Sequence, residues 1–510
     1  SSMHGQVLTQ QAYVGMSAVP SMADGSHSSG GSLGHMPRES IPRQPPCRQW
    51  LVIFSFGLNS AFNAFLCMNF SVVAPLTQRV LRISESEVAW LYTGMLLTVF
   101  AGMPIGLLLV VWWEGAGLCL GVMMNTLCAV VRFVGVRRQQ YVVVLVSALF
   151  NGVGAWTILP MPAKLSQERF PFEYRTLTTS LAVQANYAGW MLGSFLVPLV
   201  VHDRRTLEIF LTYQAAFSAL VVTAHVAFYR PVRTWELYGR SSRRVAASSG
   251  RPSPVDRERA ANNPATQDLL DVRNSNYHSS GYDEGRCRSD DLTEFMKVLC
   301  TYPSFGMQIV AYGVLAGVGF AVPGCSVTIL KHLGFAPETT AWVNIAFIGA
   351  GVLSGLLLGL KCNDPLHYGW VLKTLFLLCM ASIAGLAVTV WLCHDQAATP
   401  ALLLVVLGLS LVAGTTSLGF IGIGIEAAAL YPANSTYVCF SVELFVQLLG
   451  GVLNQLSSRK DGFMTIAVAT WFAGLLLLFG YRRYESRSPR GNTRDDVPRV
   501  TENASAILGQ

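Results

Sequence analysis

Apolar segments of about 20 residues run through most of this chain, and each is long enough for a helix to cross the ~30 Å hydrocarbon core of a bilayer. The 510 residues are 52% hydrophobic and 13% charged, whereas soluble proteins carry roughly 25% charge. Backbone facing lipid finds no water to bond, and membrane strands would be shorter and alternating, so the segments are read as helices. The sequence predicts an all-α membrane protein with spans at residues 49–73, 88–113, 115–135, 141–163, 177–201, 206–229, 303–330, 340–360, 369–393, 400–425, 434–457 and 463–481.

Polar stretches separate these spans into two groups of six. The stretches are rich in Gly, Ser, Pro and charge, a composition typical of disorder. The predicted organisation is therefore a disordered N-terminal tail at 1–48, an N-terminal six-helix bundle at 49–229, a linker at 230–302, a C-terminal six-helix bundle at 303–481 and a C-terminal tail at 482–510.

Lys and Arg are concentrated in alternate connections, in both tails and in the linker. The positive-inside rule places these on the cytoplasmic side, so both termini and the linker are predicted to be cytoplasmic. Six spans, a cytoplasmic linker and six more spans resemble the layout of the major facilitator superfamily, 12 transmembrane helices arranged as two bundles. That layout implies a substrate site near the midplane, between the halves, and alternating access by rocking of one bundle against the other.

Composition and spacing argue against several other functions. The eleven cysteines are scattered without a C-x-x-C pair and the nine histidines are isolated, so no metal site or cofactor is expected. No basic patch interleaved with aromatic residues indicates nucleic-acid binding. Paired catalytic carboxylates and Ser-His arrangements are not evident, so the chain is not predicted to be an enzyme.

Glu443 lies in the middle of the eleventh apolar segment, in "STYVCFSVELFVQLLGGVLNQL". Gln447, Gly450 and Asn454 follow it at helical spacing, so one face of this helix is polar and small. An ionised acid at mid-membrane is unfavourable by several kcal/mol unless it faces water, a cation or a donor. Glu443 is therefore predicted to face the cavity, where it would attract a cationic substrate or bind and release a coupled proton. A hydrogen-bonded glutamate that only joins two helices is the structural alternative.

Other polar and aromatic residues are candidates for the cavity wall. Each has a packing interpretation beside the functional one, because polar residues on membrane helices often only join helices. The predicted substrate-binding set is completed by Gln447, Tyr187, Asn186, Phe320, Tyr312, Asn63 and Trp156.

Several stretches, in order along the chain, resemble the feline leukaemia virus subgroup C receptor-related transporters, solute carrier family 49 within the major facilitator superfamily. These are "CAVVRFVGV" with Arg132, "LPMPAKLSQERFPFEYRTLTTSLAVQANYAGWMLGSFLVP" at 159–198, "IVAYGVLAGVGFAVPGCSVTIL" at 309–330, and "EAAALYP" followed by "VQLLGG". The resemblance implies transport of choline, ethanolamine, pyridoxine-like vitamins or haem.

The choline cage of that family is incomplete in this sequence. Its first-helix Trp has no counterpart in "SAFNAFLCMNFSVV". The seventh-helix aromatic corresponds to Phe320 and the fifth-helix Gln to Tyr187, while the eleventh-helix Gln is retained as Gln447. The acidic and basic loop element between the second and third helices is reduced to "VVWWEGAG", in which Glu114 is the only charge. A choline-type cage and the usual cytoplasmic latch are therefore both expected to be altered.

The predicted function is transport of a small organic solute by alternating access, and a compact cation or weak base best suits one acid with several aromatic residues. Proton linkage through Glu443 is a further expectation. The alternatives are a haem transporter of the same family, whose iron would favour His or Cys ligands, and a transport-inactive receptor or scaffold. The expected partners are a small-molecule substrate and the lipid bilayer, with the chain a monomer in the plasma or an endolysosomal membrane.

Overall fold

The computed structural model describes residues 47–229, 288–362, 364–393, 399–457 and 462–482. Across these ranges the chain forms sixteen α-helices and no β-strand. The predicted N-terminal tail up to residue 46, the linker from 230 to 287 and the C-terminal tail from 483 lie outside the described residues.

Eight helices come from the N-terminal half and eight from the C-terminal half. The first eight are α1 Cys47–Met68, α2 Ala74–Leu81, α3 Glu85–Trp112, α4 Glu114–Arg137, α5 Tyr141–Ile158, α6 Pro162–Arg169, α7 Phe172–Val200 and α8 Arg204–Phe228. The others are α9 Arg288–Thr301, α10 Pro303–His332, α11 Pro337–Lys361, α12 Pro365–Leu392, α13 Pro400–Ser417, α14 Ile421–Ala428, α15 Ser435–Ser457 and α16 Gly462–Gly480.

Eleven spans in the described part of the chain are long and apolar enough to cross a membrane. The twelfth is α7, whose 29 residues reach about 43 Å at 1.5 Å per residue. Its first half carries Thr176, Thr179 and Gln184, which lower its hydropathy. These side chains are buried, so α7 crosses the membrane with its polar face against protein.

The fourth and tenth spans are both broken. In each, an 18-residue helix is followed by three residues and then by an eight-residue helix: α5, residues 159–161 and α6 in one half, and α13, residues 418–420 and α14 in the other. Interrupted helices at corresponding positions of two repeats are typical of a transporter's substrate path. Pro160 and Pro162 account for the first break, because proline removes backbone donors and disfavours a helical residue before it.

Each half packs mainly within itself. In the N-terminal half α1 packs on α7 and α4 on α5, while in the C-terminal half α10 packs on α15 and α16, and α11 on α13. The two halves meet mainly along α7 with α11 and α3 with α15, and to a smaller extent along α7 with α14 and α6 with α15. The core thus consists of two helical bundles with a narrow space between them.

Two predicted boundaries differ from the structure. The first span, expected to reach residue 73, ends at Met68, and a turn leads into the short helix α2. Residues 288–301, assigned by composition to an unstructured linker, form α9, because Phe295 and Val298 are buried and Phe295 stacks against Phe305 and Tyr437. The charged residues on the exposed face of α9 hid the apolar residues of its buried face in the sequence.

Glycines allow two helix pairs to approach closely. A Cβ at Gly189 on α7 would overlap the backbone of Ala61 on α1, and a Cβ at Gly414 on α13 would overlap the carbonyl of Phe347 on α11. These contacts set the spacing of α1 with α7 and of α11 with α13.

Candidate functional site

Two small cavities of about 20 Å³ each lie between the bundles. Such a volume holds about one water molecule. Both are lined by Leu159, Asn186 and Phe320, so they are neighbouring parts of one central space. Glu443 lies in the wall of the first cavity and Gln447 in the wall of the second.

The Glu443 carboxylate is buried and faces this space. Its side chain is 6% exposed, and the Gln447 amide nitrogen lies 3.5 Å from its Oε2, longer than a well-formed hydrogen bond. Among the described residues no cationic side chain lies within 4.0 Å of it. Burying an ionised acid without an opposite charge or a well-formed hydrogen bond is unfavourable. The site therefore favours a positive charge or a proton beside Glu443.

Three aromatic rings line the central space and come from both halves. Tyr187 and Trp190 come from α7 and Phe320 from α10. The ring centroids of Trp190 and Phe320 are 4.1 Å apart, and those of Tyr187 and Phe320 are 5.7 Å apart. Because α7 and α10 belong to different bundles, this aromatic cluster closes the central space where the bundles meet. Its ring faces can also contact a cation.

Asn186 and Gln447, two of the three amides that line the cavities, differ in their bonding. Asn186 donates from Nδ2 to the Ser60 carbonyl and hydroxyl oxygens, at 3.3 and 3.2 Å. Gln447 is 2% exposed and its Oε1 has no hydrogen-bond partner. An unsatisfied buried acceptor is unfavourable by about 1–3 kcal/mol, so Gln447 is suited to accept a hydrogen bond from a substrate N–H or O–H.

Asn63 lines the second cavity, but its amide nitrogen is bonded inside the N-terminal bundle. It donates to Asn125 Oδ1 at 2.7 Å and to Asn151 Oδ1 at 2.9 Å. Asn125 in turn donates to Asn59 Oδ1 at 3.0 Å. This buried amide network joins α1, α4 and α5.

Asn125→Ala should lower the unfolding free energy by about 1–3 kcal/mol, because it leaves the buried Asn59 Oδ1 without its donor and removes one of the acceptors of Asn63, which keeps its bond to Asn151. Thermal unfolding of the purified chain in detergent measures this. Thr126→Ala is the matched control on the same helix, since Thr126 bonds only to the Val122 carbonyl of its own helix. Equal melting temperatures for the two variants would show that the amide network does not stabilise the folded state.

Two predicted site residues lie away from the two cavities. The Tyr312 hydroxyl donates to Gln308, and the ring packs on Phe376 and Phe420 inside the C-terminal bundle. Trp156 donates from Nε1 to the Thr98 carbonyl at 2.8 Å and occupies a notch formed by glycines of α3. The structure thus brings together Glu443, Gln447, Tyr187, Asn186, Phe320 and Asn63.

Sequence reasoning named Trp156 on the fourth span and missed the residues at the break of that span. Leu159 and Pro162, at its break, line the first cavity together with Ser60. The Pro-x-Pro at 160–162 was the available signal, because a doubled proline interrupts a helix.

Glu114 is the centre of a charge cluster within the N-terminal bundle. Its carboxylate accepts hydrogen bonds from Arg169, at 2.7 Å, and from the Tyr229 hydroxyl, and Lys164 Nζ lies 3.5 Å away. Burial and the neighbouring carboxylate raise the pKa of Tyr229 well above its usual range. The reduced loop element therefore still ties α4 to α6 and to the end of α8.

A row of donors on α7 joins the two bundles on the side of the space where α7 begins. The Thr176 and Tyr368 hydroxyls are 2.8 Å apart, Thr179 donates to Glu426 at 2.6 Å, and Gln184 donates to the Leu418 carbonyl at 3.1 Å. We name this contact, formed by Thr176, Thr179 and Gln184 with their partners, the α7 seam.

The opposite end of the space is closed by a different contact. Gln455 on α15 donates to the Thr93 hydroxyl on α3 at 2.7 Å, and the Trp190 and Phe320 rings meet nearby. The central space is therefore closed at both ends.

Comparisons with known proteins agree with this architecture. The sequence profile of the Major Facilitator Superfamily matches residues 56–438. No curated protein matches the sequence. A crystal structure of a variant of the Escherichia coli fucose:proton symporter FucP superposes with a TM-score of 0.53 at 13% identity, covering 85% of this chain and 99% of that one.

The predicted fold, an all-α membrane protein with two six-helix bundles, is thereby confirmed. A multi-pass chain of this fold transports solutes across a membrane and is not an enzyme. The profile match covers most of the chain, and the chain belongs to the Major Facilitator Superfamily.

Proposed function

We propose that this transporter moves a small organic cation or weak base, of the choline and ethanolamine or pyridoxine type, by alternating access between its two bundles. The observation that carries the proposal is the buried Glu443 carboxylate, which faces the central space without a protein cation within 4.0 Å among the described residues. A positively charged ligand would compensate this charge, and a proton would do so in its absence. Proton linkage through Glu443 is part of the proposal.

The composition of the site favours a cation that carries N–H groups. A quaternary ammonium has no donor on nitrogen and is held by aromatic faces. Here the rings of Tyr187, Trp190 and Phe320 pack edge to face on one another, while Glu443 and the unsatisfied Gln447 Oε1 are acceptors. A protonated amine or a protonated ring nitrogen donates to acceptors that choline's ammonium group cannot satisfy.

The resemblance to solute carrier family 49 supports the same substrate range, and we propose membership of that family on its motifs. The excess of Lys and Arg in alternate connections supports cytoplasmic termini. We propose a monomer with bundles at 49–229 and 303–481, in the plasma or an endolysosomal membrane. Haem suits the site less well, because the lining of the two cavities holds an acid, no histidine and a single thiol, Cys67.

A thermal-shift experiment tests the substrate class. The purified full chain is heated with choline, ethanolamine, pyridoxine or haem, because a ligand that binds the folded state stabilises it by about 2.7 kcal/mol at 100 times its Kd. We expect ethanolamine or pyridoxine to raise the melting temperature most, and Glu443→Gln to remove the shift. A shift from haem alone, or one that persists in Glu443→Gln, contradicts the proposal.

A further inference from the structure

A second buried carboxylate lies beside the α7 seam. Glu426 on α14 is 7% exposed, and its Oε1 accepts a hydrogen bond from the Thr179 hydroxyl at 2.6 Å. Arg175, one turn earlier on α7, acts on it electrostatically. Both of these groups come from the opposite bundle, so Glu426 is held across the interface that must open for solute to leave.

Glu426 and Glu443 lie on consecutive helices of the C-terminal half, α14 and α15. Cys439, one turn before Glu443 on α15, lies within electrostatic range of both carboxylates. Cys439 lies one helical turn, about 5.4 Å, from Glu443 along α15, and α14 packs against α15. Acids inside a membrane bundle are unfavourable unless they meet water, a donor or a cation, and they often mark ion or substrate pathways.

Unsatisfied polar atoms accompany Glu426 at the seam. Ser180 is 1% exposed, its Oγ has no hydrogen-bond partner, and its side chain lies against Gly422, one turn before Glu426 on α14. Gln184 Oε1, one turn further along α7, is also unsatisfied. These acceptors are available to a ligand that donates hydrogen bonds beside Glu426.

We propose that Glu426 is a second binding position for the transported organic cation, at the inner end of the path that starts at Glu443. The proposal rests on the proposed function, since it concerns the same cation. A protonated amine that leaves Glu443 meets the Glu426 carboxylate and the Ser180 and Gln184 oxygens. It competes there with Thr179 and Arg175 of α7, so its arrival loosens α7 from α14 and opens the seam.

Uptake by the full chain in proteoliposomes, with radiolabelled ethanolamine and pyridoxine as probes, tests this. Glu426→Gln keeps an oxygen that accepts the hydrogen bond from Thr179 but removes the negative charge. It should lower the initial uptake rate about tenfold, while the apparent Kd for the probe, measured by thermal shift, stays within about threefold of that of the unsubstituted chain. Thr179→Val is the matched variant: it removes the hydrogen bond, keeps the acid, and should keep uptake within about threefold.

The outcomes separate the two proposals. Wild-type uptake in Glu426→Gln, or equal loss in Glu426→Gln and Thr179→Val, overturns the second position and leaves the Glu443 site intact. Uptake and binding of neither probe by the unsubstituted chain overturns the proposed function itself, and the second position with it. Folding is checked by melting temperature and elution volume.

A measurement on the unsubstituted chain covers the case in which Glu426→Gln does not fold. Dicyclohexylcarbodiimide modifies buried carboxyl groups, and peptide mass spectrometry reports each site. Ethanolamine or pyridoxine should slow modification of both Glu443 and Glu426 about threefold or more when it occupies them. Protection of Glu443 without protection of Glu426 overturns the second position.

Discussion

Glu443→Gln should reduce uptake of the organic cation by about 100-fold, because losing one partner of a buried charge pair is unfavourable by about 2–5 kcal/mol. Glutamine keeps the size of the side chain and removes its charge. The Glu443 carboxylate has no well-formed hydrogen bond to lose, so the folded state should be retained. Initial uptake into proteoliposomes, at equal amounts of reconstituted protein, measures the effect.

Glu85→Gln is the matched control. Glu85 is an exposed acid in the first turn of α3, remote from the substrate path, and its loss should leave uptake unchanged. If Glu443→Gln transports as well as the control, Glu443 only joins helices and the cation site lies elsewhere.

Gly414→Ala should produce the largest loss of stability. Its Cβ would overlap the Phe347 carbonyl on α11, which is backbone and cannot rotate away. Forcing extra volume into a packed interface is unfavourable by about 1–3 kcal/mol and occasionally more. Thermal unfolding in detergent and the yield of monodisperse protein both report the loss.

Gly408→Ala, on the same helix, isolates the packing effect. No atom lies within 4 Å of a Cβ at Gly408, and alanine favours a helix over glycine by about 1 kcal/mol. This variant should be as stable as the unsubstituted chain or slightly more so. Equal melting temperatures for the two variants would show that α11 and α13 can move apart without loss.

The spans and their grouping could be predicted from sequence because hydropathy over about 20 residues is a strong signal in a membrane chain. Helix α7 shows where that signal weakens. Its Thr176, Thr179 and Gln184 side chains lower its apolarity, since they face the other bundle and not lipid. Helix α9 was missed for the opposite reason, because its charged face hid Phe295 and Val298.

The position of Glu443 at the central space could also be predicted, because an acid in an apolar helix has few stable environments. Tyr312 and Trp156 could not be placed correctly by residue type, since helical spacing does not say which neighbour a given face meets. Tyr312 packs inside its own bundle and Trp156 fits a glycine notch on α3. The Glu426 contact with Thr179 joins residues 247 positions apart, and no local pattern indicates it.

The small volume of the two cavities bears on affinity. With about 20 Å³ in each, an organic cation cannot be accommodated until the bundles separate by breaking contacts such as Trp190 with Phe320. Because this separation is unfavourable, only a fraction of the molecules is open and able to bind. The apparent affinity for the ligand is weaker than the affinity of the open molecules by that fraction. Variants that loosen the aromatic contact should therefore bind more tightly, even though they remove surface that the ligand touches.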